Sequence, residues 1–170
     1  ATACEAACDA DATCEGYTIT GSVAESRIGY SADAVTTHAT PDTSGWAEYN
    51  CSNPATAGTF KLSNNCTLSA EVILTGELTI IGQTQDMNSL VTITAAATSR
   101  HFKLNGAGHK LNIWHLKLTG GDLSSYSSSP DYSGGSIRIL DGGEVNTYYS
   151  EISGNKAKYG SGIYLSLIHI

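Results

Sequence analysis

The acidic residues are the first candidates for chemistry, because hydrolysis of a polysaccharide needs two carboxyl groups that act together on one bond. From residue 59 onward the chain contains no Asp-Asp pair and no Asp-x-Asp pair. Arg138 has Asp141 near it in sequence but no cluster of acids, so a basic residue beside calcium-binding acids is not indicated either. We therefore predict no catalytic residue. The acids of this region are Glu71, Glu77, Asp86, Asp122, Asp131, Asp141, Glu144 and Glu151.

The five histidines form no His-x-His or His-x₃-His set, so their spacing does not indicate a metal site. His115 follows Trp114 inside a predicted strand, and we interpret it as a surface or hydrogen-bonded histidine. The acidic segment 9–16 begins like a calcium loop, but its glycine and its cysteine fall at the wrong positions for one. We predict no metal ion and no cofactor.

Aromatic residues in the C-terminal part of the chain form the candidate binding face. If these side chains are exposed, they suit sugar rings or a protein partner, and if they are buried, they belong to ordinary packing. The sequence leaves both interpretations open. The face comprises Trp114, Tyr148, Tyr149, Tyr159 and Tyr164.

The charge balance excludes several classes of partner. The 170-residue chain has a net charge of −7, and its nine Lys and Arg residues are scattered. Neutralising phosphates requires clustered basic residues, so we expect no binding to nucleic acid or to anionic membrane surfaces. No apolar run approaches 18 residues in length, and we predict no membrane span.

The cysteines and two glycosylation sequons predict a secreted, extracellular or cell-surface protein. Five cysteines, four of them within the first 51 residues, suggest an oxidising compartment, and the odd count leaves one without an intrachain partner. The sequons Asn50-Cys51-Ser52 and Asn65-Cys66-Thr67 agree with secretion. A start at Ala1 without Met is expected after removal of a signal peptide and equally for a fragment. The connectivity stays open among the disulfide candidates Cys4, Cys8, Cys14, Cys51 and Cys66.

The elements that must position these residues recur along the chain. Segment 111–120 aligns with 145–154 at a constant offset of 34 residues (145 − 111), and 134–139 aligns with 160–165 at an offset of 26 (160 − 134). From Thr59 onward short alternating apolar runs end at Gly, Asn or Ser, and no helical pattern separates them. Short strands at such spacing indicate an all-β solenoid, with the repeats in residues 59–170.

The repeats resemble those of a known group of proteins. Gly134-Gly135-Ser136-Ile137 and Ile152-Ser-Gly-Asn155-Lys-Ala157 are similar to repeats of the pectin-lyase-like superfamily, most of all to its polymorphic outer-membrane-protein and adhesin type. The resemblance covers about two-thirds of the chain and implies a right-handed parallel β-helix. In such a fold inward Ile, Leu and Val stack between rungs, and we expect Asn105 and Asn155 to form amide ladders at turns.

Residues 1–58 are predicted to form a disulfide-stapled cap or a partial module. Alanine is frequent in residues 1–16, which favours a short helix with Cys4 and Cys8 on one face. A strand is predicted across residues 17–20. A Cys-bearing helix followed by such a strand resembles the start of PAN/Apple-type domains, over about 20 residues.

These observations predict a structural or adhesive protein that associates with itself or with other surface proteins. The last residues, 166–170, form an apolar stretch, which we expect to expose pairing-competent strand edges. One alternative is a carbohydrate-binding or carbohydrate-active module that uses the aromatic face. The other alternative is an ice-binding protein, for which Thr92-Ile93-Thr94 supplies the only Thr-x-Thr of the repeat region.

Overall fold

The described part of the chain consists of short β-strands joined by turns. The computed structural model describes residues 39–125 and 133–166 and, for the backbone alone, residues 16–19. No helix occurs in these ranges, which confirms the all-β class. The strands are β1 (Gly16–Ile19), β2 (Ala47–Glu48), β3 (Gly58–Leu62), β4 (Cys66–Thr67), β5 (Val72–Ile73), β6 (Glu77–Gly82), β7 (Val91–Thr94), β8 (Phe102–Asn105), β9 (Lys110–Trp114), β10 (Leu116–Thr119), β11 (Ile137–Leu140), β12 (Glu144–Tyr148), β13 (Glu151–Ile152) and β14 (Ile163–Leu165).

Consecutive strands join three sheets in turn, so every third strand from β3 onward returns to the same sheet. The first sheet has the order β1-β12-β9-β6-β3-β2, the second β13-β10-β7-β4 and the third β14-β11-β8-β5. From β2 onward all strand pairs are parallel, and only β1 pairs antiparallel, with β12. This all-β, parallel arrangement is compatible with a β-helix-like fold.

The register of the strands follows the offsets found in the sequence. Leu111 pairs with Val145 on the neighbouring strand of the first sheet. Leu118 pairs with Ile152 in the second sheet, and Ile137 pairs with Ile163 in the third. Both predicted alignments are therefore confirmed, because residues at equivalent repeat positions lie on adjacent strands.

One apolar core runs between the three sheets. In each strand alternate residues point to opposite faces, so every second residue reaches the core. Phe102 and Leu104 on β8 are fully buried, while Lys103 between them is half-buried. Burying each large apolar side chain contributes about 1.5–3 kcal/mol. The fully buried set is Phe102, Leu68, Leu74, Leu78, Ile80, Ile81, Ile93, Leu104, Leu111, Ile113, Leu116 and Leu118.

The Gly134-Gly135 pair of the predicted repeat has a steric cause. Gly134 adopts a φ of +71°, a region that side-chain-bearing residues rarely occupy. A Cβ atom on Gly135 would lie 2.2 Å from the carbonyl oxygen of Ser161. The backbone of one turn therefore passes directly against the next at this position.

The segment before β3 covers one end of the core. Tyr49 is 2% exposed, stacks edge-on against Phe60 and donates its hydroxyl hydrogen to the carbonyl oxygen of Ala55. The half-buried Trp46 and the buried Tyr49 both lie beside β2, which pairs with β3 in the first sheet. The division into residues 1–58 and 59–170 stays a prediction.

The strand predicted across residues 17–20 is confirmed by β1, which begins one residue earlier and ends at Ile19. The short helix predicted within residues 1–16 lies outside the described residues, apart from Gly16, which opens β1. Cys4, Cys8 and Cys14 also lie outside the described residues.

Candidate functional site

The centre of the predicted aromatic face is a stacked pair on the outer side of the first sheet. Trp114 on β9 and Tyr148 on β12 are in register, with ring centroids 3.9 Å apart and an interplanar angle of 19°. Trp114 is 7% exposed, and Tyr148 is half-buried. Because Trp114 is almost fully buried, its ring offers little surface for stacking on a sugar ring.

A second stacked pair lies at the adjoining corner. His115 and Tyr149 follow the two strands directly, and their rings are parallel within 5° at a centroid distance of 5.0 Å. Both adopt positive φ angles, 51° and 48°, which turn the chain from the first sheet toward the second. The Nε2 atom of His115 is 3.0 Å from the hydroxyl of Thr40, and burial lowers the pKa of its imidazole. Trp114, His115, Tyr148 and Tyr149 together form what we call the aromatic cluster.

The two remaining residues of the predicted face lie elsewhere. Tyr164 is on β14 in the third sheet, where it pairs with Arg138. Tyr159 is 51% exposed, and the ammonium of Lys158 is 5.7 Å from the centroid of its ring. The five aromatic residues therefore do not form one row, and a binding role for any of them stays a prediction.

A ladder of polar side chains runs beside the aromatic cluster on the same outer face. Asn146 donates Nδ2 hydrogen bonds to Oδ1 of Asn112 at 3.0 Å and to Oε1 of Glu144 at 2.8 Å. Asn112 in turn donates to Glu77 at 2.8 Å and to Thr79 at 3.0 Å. The ladder was not predicted from the sequence, although Asn112 and Asn146 share the 34-residue offset of their strands.

The residues predicted to form amide ladders behave differently from each other. The Oδ1 atom of Asn155 accepts a hydrogen bond from the backbone of Gly121 at 2.8 Å, and its Nδ2 donates to the carbonyl of Leu118 at 3.1 Å. Asn155 thus ties one turn to its neighbour through the backbone rather than through another amide. Asn105 is exposed, and its backbone N–H donates to Nδ1 of His109.

The described disulfide joins the two predicted sequons. Cys51 and Cys66 are bonded, with their Cα atoms 6.1 Å apart. Asn50 and Asn65, which precede them, are both exposed and border one open depression of about 490 Å³. Their side-chain Oδ1 atoms accept hydrogen bonds from backbone N–H groups, that of Asn50 from Ser52 at 3.0 Å and that of Asn65 from Thr92 at 2.8 Å. The disulfide suggests an oxidising, extracellular environment, and glycosylation of either asparagine stays a prediction.

Comparison of the chain with models of known protein families, with curated proteins and with solved structures found no match. The resemblance to pectin-lyase-like repeats accordingly rests on the repeat residues and on a fold that is compatible with them.

Two further findings concern the described residues alone. No group of three or more His, Cys, Asp or Glu side chains among them could hold a metal ion. In the same ranges there is no helix of the length and apolarity needed to cross a membrane.

The two ends of the stack of strands differ. At the β4 and β5 end, the disulfide and the buried Tyr49 close the core. At the other end, β13 and β14 are the last strands of their sheets and have no strand partner on the outer side among the described residues. The core side chains there are only partly buried: Ile152, Ile163 and Leu165.

Proposed function

We propose that this chain is a right-handed parallel β-helix with a structural or adhesive role outside the cell, as part of a surface or matrix assembly. The observation that carries the proposal is the edge formed by β13 and β14, which has no outer strand partner among the described residues and lies beside partly buried core residues. An edge of this kind presents free backbone donors and acceptors that another strand can pair with. The disulfide between Cys51 and Cys66 agrees with the extracellular setting.

The proposed partner at this edge is a second copy of the chain. The backbone groups of Ile163 and Leu165 that point away from β11 can pair with the same groups of another β14. Such self-complementary pairing is isologous and gives a closed dimer with two-fold symmetry. Because Tyr49 and the disulfide close the opposite end of the core, growth in that direction is disfavoured.

Sedimentation of the 170-residue chain over a range of concentrations tests this proposal. We expect a dimer that dissociates on dilution, and we expect Leu165→Lys to shift it to monomer because the substitution places a charge at the open end of the core. The matched control is Ile73→Lys on β5, an edge residue at the opposite end that is already 50% exposed. A monomer at all concentrations up to several hundred micromolar, or equal effects of both substitutions, would rule the proposal out.

Ice binding is a second candidate because the second sheet carries a column of hydroxyl side chains. Thr67, Thr94 and Thr119 are neighbours in register on β4, β7 and β10. Neighbouring strands repeat at about 4.8 Å, which spaces the hydroxyl groups regularly. The sequence alone does not extend Thr92-Ile93-Thr94 to Thr119, since the alignment of β7 with β10 depends on the fold. Measurable thermal hysteresis that Thr94→Lys abolishes would support this function, and its absence would dismiss it.

A further inference from the structure

Two basic side chains lie next to each other on the outer face of the third sheet. Lys103 on β8 and Arg138 on β11 are partners in register. The residues on either side of each, such as Ile137 and Ile139, belong to the core. Because side chains alternate along a strand, Lys103 and Arg138 leave the same outer face, on strands about 4.8 Å apart.

Other lysines on the strands pair in register with acidic residues, unlike Lys103. Lys110 faces Glu144, with Nζ 3.1 Å from a carboxylate oxygen, and Lys117 faces Glu151 at 2.8 Å. Lys103 faces Arg138 instead, and neither forms an ion pair with a carboxylate of the described residues. Like charges directly opposite each other destabilise a sheet. Lys103 and Arg138 are such a pair, and no carboxylate of the described residues compensates their positive charge.

The burial of Arg138 adds a second, independent observation. Arg138 is 6% exposed, and its Nε atom is shielded from solvent without a hydrogen-bond partner. Arg100 is similarly buried, but its guanidinium has partners. Its Nε lies 2.7 Å from a carboxylate oxygen of Glu71, and it donates a hydrogen bond to the carbonyl of Ser133. Buried charges in proteins are normally paired, and an unsatisfied buried donor is costly. The Nε–H of Arg138 therefore has no acceptor among the residues that the structure describes.

We propose that Lys103 and Arg138 bind an oxyanion, a sulfate or phosphate group, on the outer face of the third sheet. The planar guanidinium offers directed donors to such a group, and the lysine ammonium adds a compact charge beside it. The half-buried Tyr164, which follows Arg138 in register, borders the site. The chain carries a net charge of −7, but salt screens distant carboxylates beyond about 8 Å, so the local pair dominates.

Calorimetric titration of the 170-residue chain tests the site, with sodium sulfate, sodium phosphate and a sulfated oligosaccharide at constant ionic strength. We expect Lys103→Gln and Arg138→Met each to weaken binding about tenfold or more, because each removes charged donors to the anion. Lys61→Gln, which removes one lysine from the first sheet, is the matched control and should leave the affinity unchanged. Should Arg138→Met fail to fold, Arg138→Lys replaces it, since it keeps the charge but loses the planar fork.

The outcomes separate the source of the anion from the existence of the site. Binding of the free ions shows that a small oxyanion suffices. Binding of the oligosaccharide alone shows that the group belongs to an anionic glycan. Either result supports the site if Lys103→Gln weakens the binding. The site does not exist if no probe binds at 20 mM, or if Lys61→Gln weakens binding as much as Lys103→Gln. These results are independent of whether the chain dimerises.

Discussion

Trp114 stacks against Tyr148 at a centroid distance of 3.9 Å, although 34 residues (148 − 114) separate the two in the chain. The contact exists because β9 and β12 are adjacent in register, and it lies on the face of the sheet away from the core. A stack of this kind contributes about 0.5–1.5 kcal/mol beyond the area that it buries.

We predict that Tyr148→Leu and Trp114→Leu are coupled. A double-substitution cycle in urea unfolding should give a coupling free energy of about 0.5–1.5 kcal/mol, because either single change already removes the stack. Tyr164→Leu, on another sheet, serves as the control partner for Trp114→Leu, and this pair should be additive. Additive effects for Trp114 and Tyr148 would contradict the stacking.

Asn146→Asp should destabilise the fold at neutral pH. The Nδ2 atom of Asn146 donates to Glu144 and Asn112, so a carboxylate in its place would face two acceptors with no donor. We expect a loss of about 2–3 kcal/mol in the free energy of unfolding, since Asn146 is 6% exposed. The loss should shrink at pH 4, where the new carboxyl group can take up a proton. Asn105→Asp, at an exposed position, is the control and should change the stability little.

Gly135→Ala should be far more harmful than Gly76→Ala. The new methyl group at position 135 would lie 2.2 Å from a backbone oxygen, whereas at position 76 its nearest contact would be the Ala57 side chain at 3.4 Å. Overpacking of this kind costs about 1–3 kcal/mol or more, and neither glycine has a positive φ that would confuse the comparison. Thermal unfolding of the two variants checks this, and equal melting temperatures would disprove the close approach.

Replacing both Cys51 and Cys66 with serine should lower the free energy of unfolding by about 3 kcal/mol. The two cysteines are 15 residues apart, and closing a loop of that length restricts the unfolded chain by about this amount. Urea denaturation of the variant measures the change directly. Substitution isolates this bond, whereas a reductant would act on any disulfide of a chain that has five cysteines. A change below 0.5 kcal/mol would show that the disulfide does not stabilise this end.

The stability should fall as the pH decreases from 6.5 to 4, and His101 should cause much of the fall. The His101 imidazole is fully buried, and burial lowers its pKa to about 4, against hydrogen bonds that act the other way. Between pH 4 and 6.5 the unfolded chain therefore binds more protons than the folded chain. The free energy of unfolding then decreases by up to about 1.4 kcal/mol per pH unit on acidification and is unaffected by His101 above pH 6.5.

Unfolding of His101→Gln at several pH values tests the assignment. This variant should be less stable at pH 7 but should lose a large part of the pH dependence below 6.5. His109→Gln keeps His101 and should therefore keep the steep response. If the two variants show the same slope between pH 4 and 6.5, His101 is not its cause.

The repeat positions can be predicted from the sequence because the same requirement for an apolar or small residue recurs at equivalent positions of each repeat. A core position must be apolar wherever it occurs, so Leu118 and Ile152 resemble each other and align without coordinates. The Gly134-Gly135 pair was visible for a similar reason, since close backbone contact admits no side chain. The same offset predicts the aromatic pair, but it does not predict whether Trp114 is exposed.

The sequence does not predict which residues are neighbours on strands that share no repeat offset. The column of Thr67, Thr94 and Thr119 depends on loop lengths between strands, as does the pairing in register of Lys103 with Arg138. The antiparallel pairing of β1 with β12 joins segments that share no repeat at all.

The sequence by itself determined the all-β class, the register of the repeated strands and the residues that fill the core, because periodic burial leaves a periodic record. Only the tertiary structure decided which outer side chains meet, which of the five cysteines form the described Cys51–Cys66 bond, and that the Nε atom of Arg138 is buried with no acceptor among the described residues. Those contacts depend on which strands the loops bring next to each other. The loops differ in length, and their length leaves no pattern in the residue types of the strands.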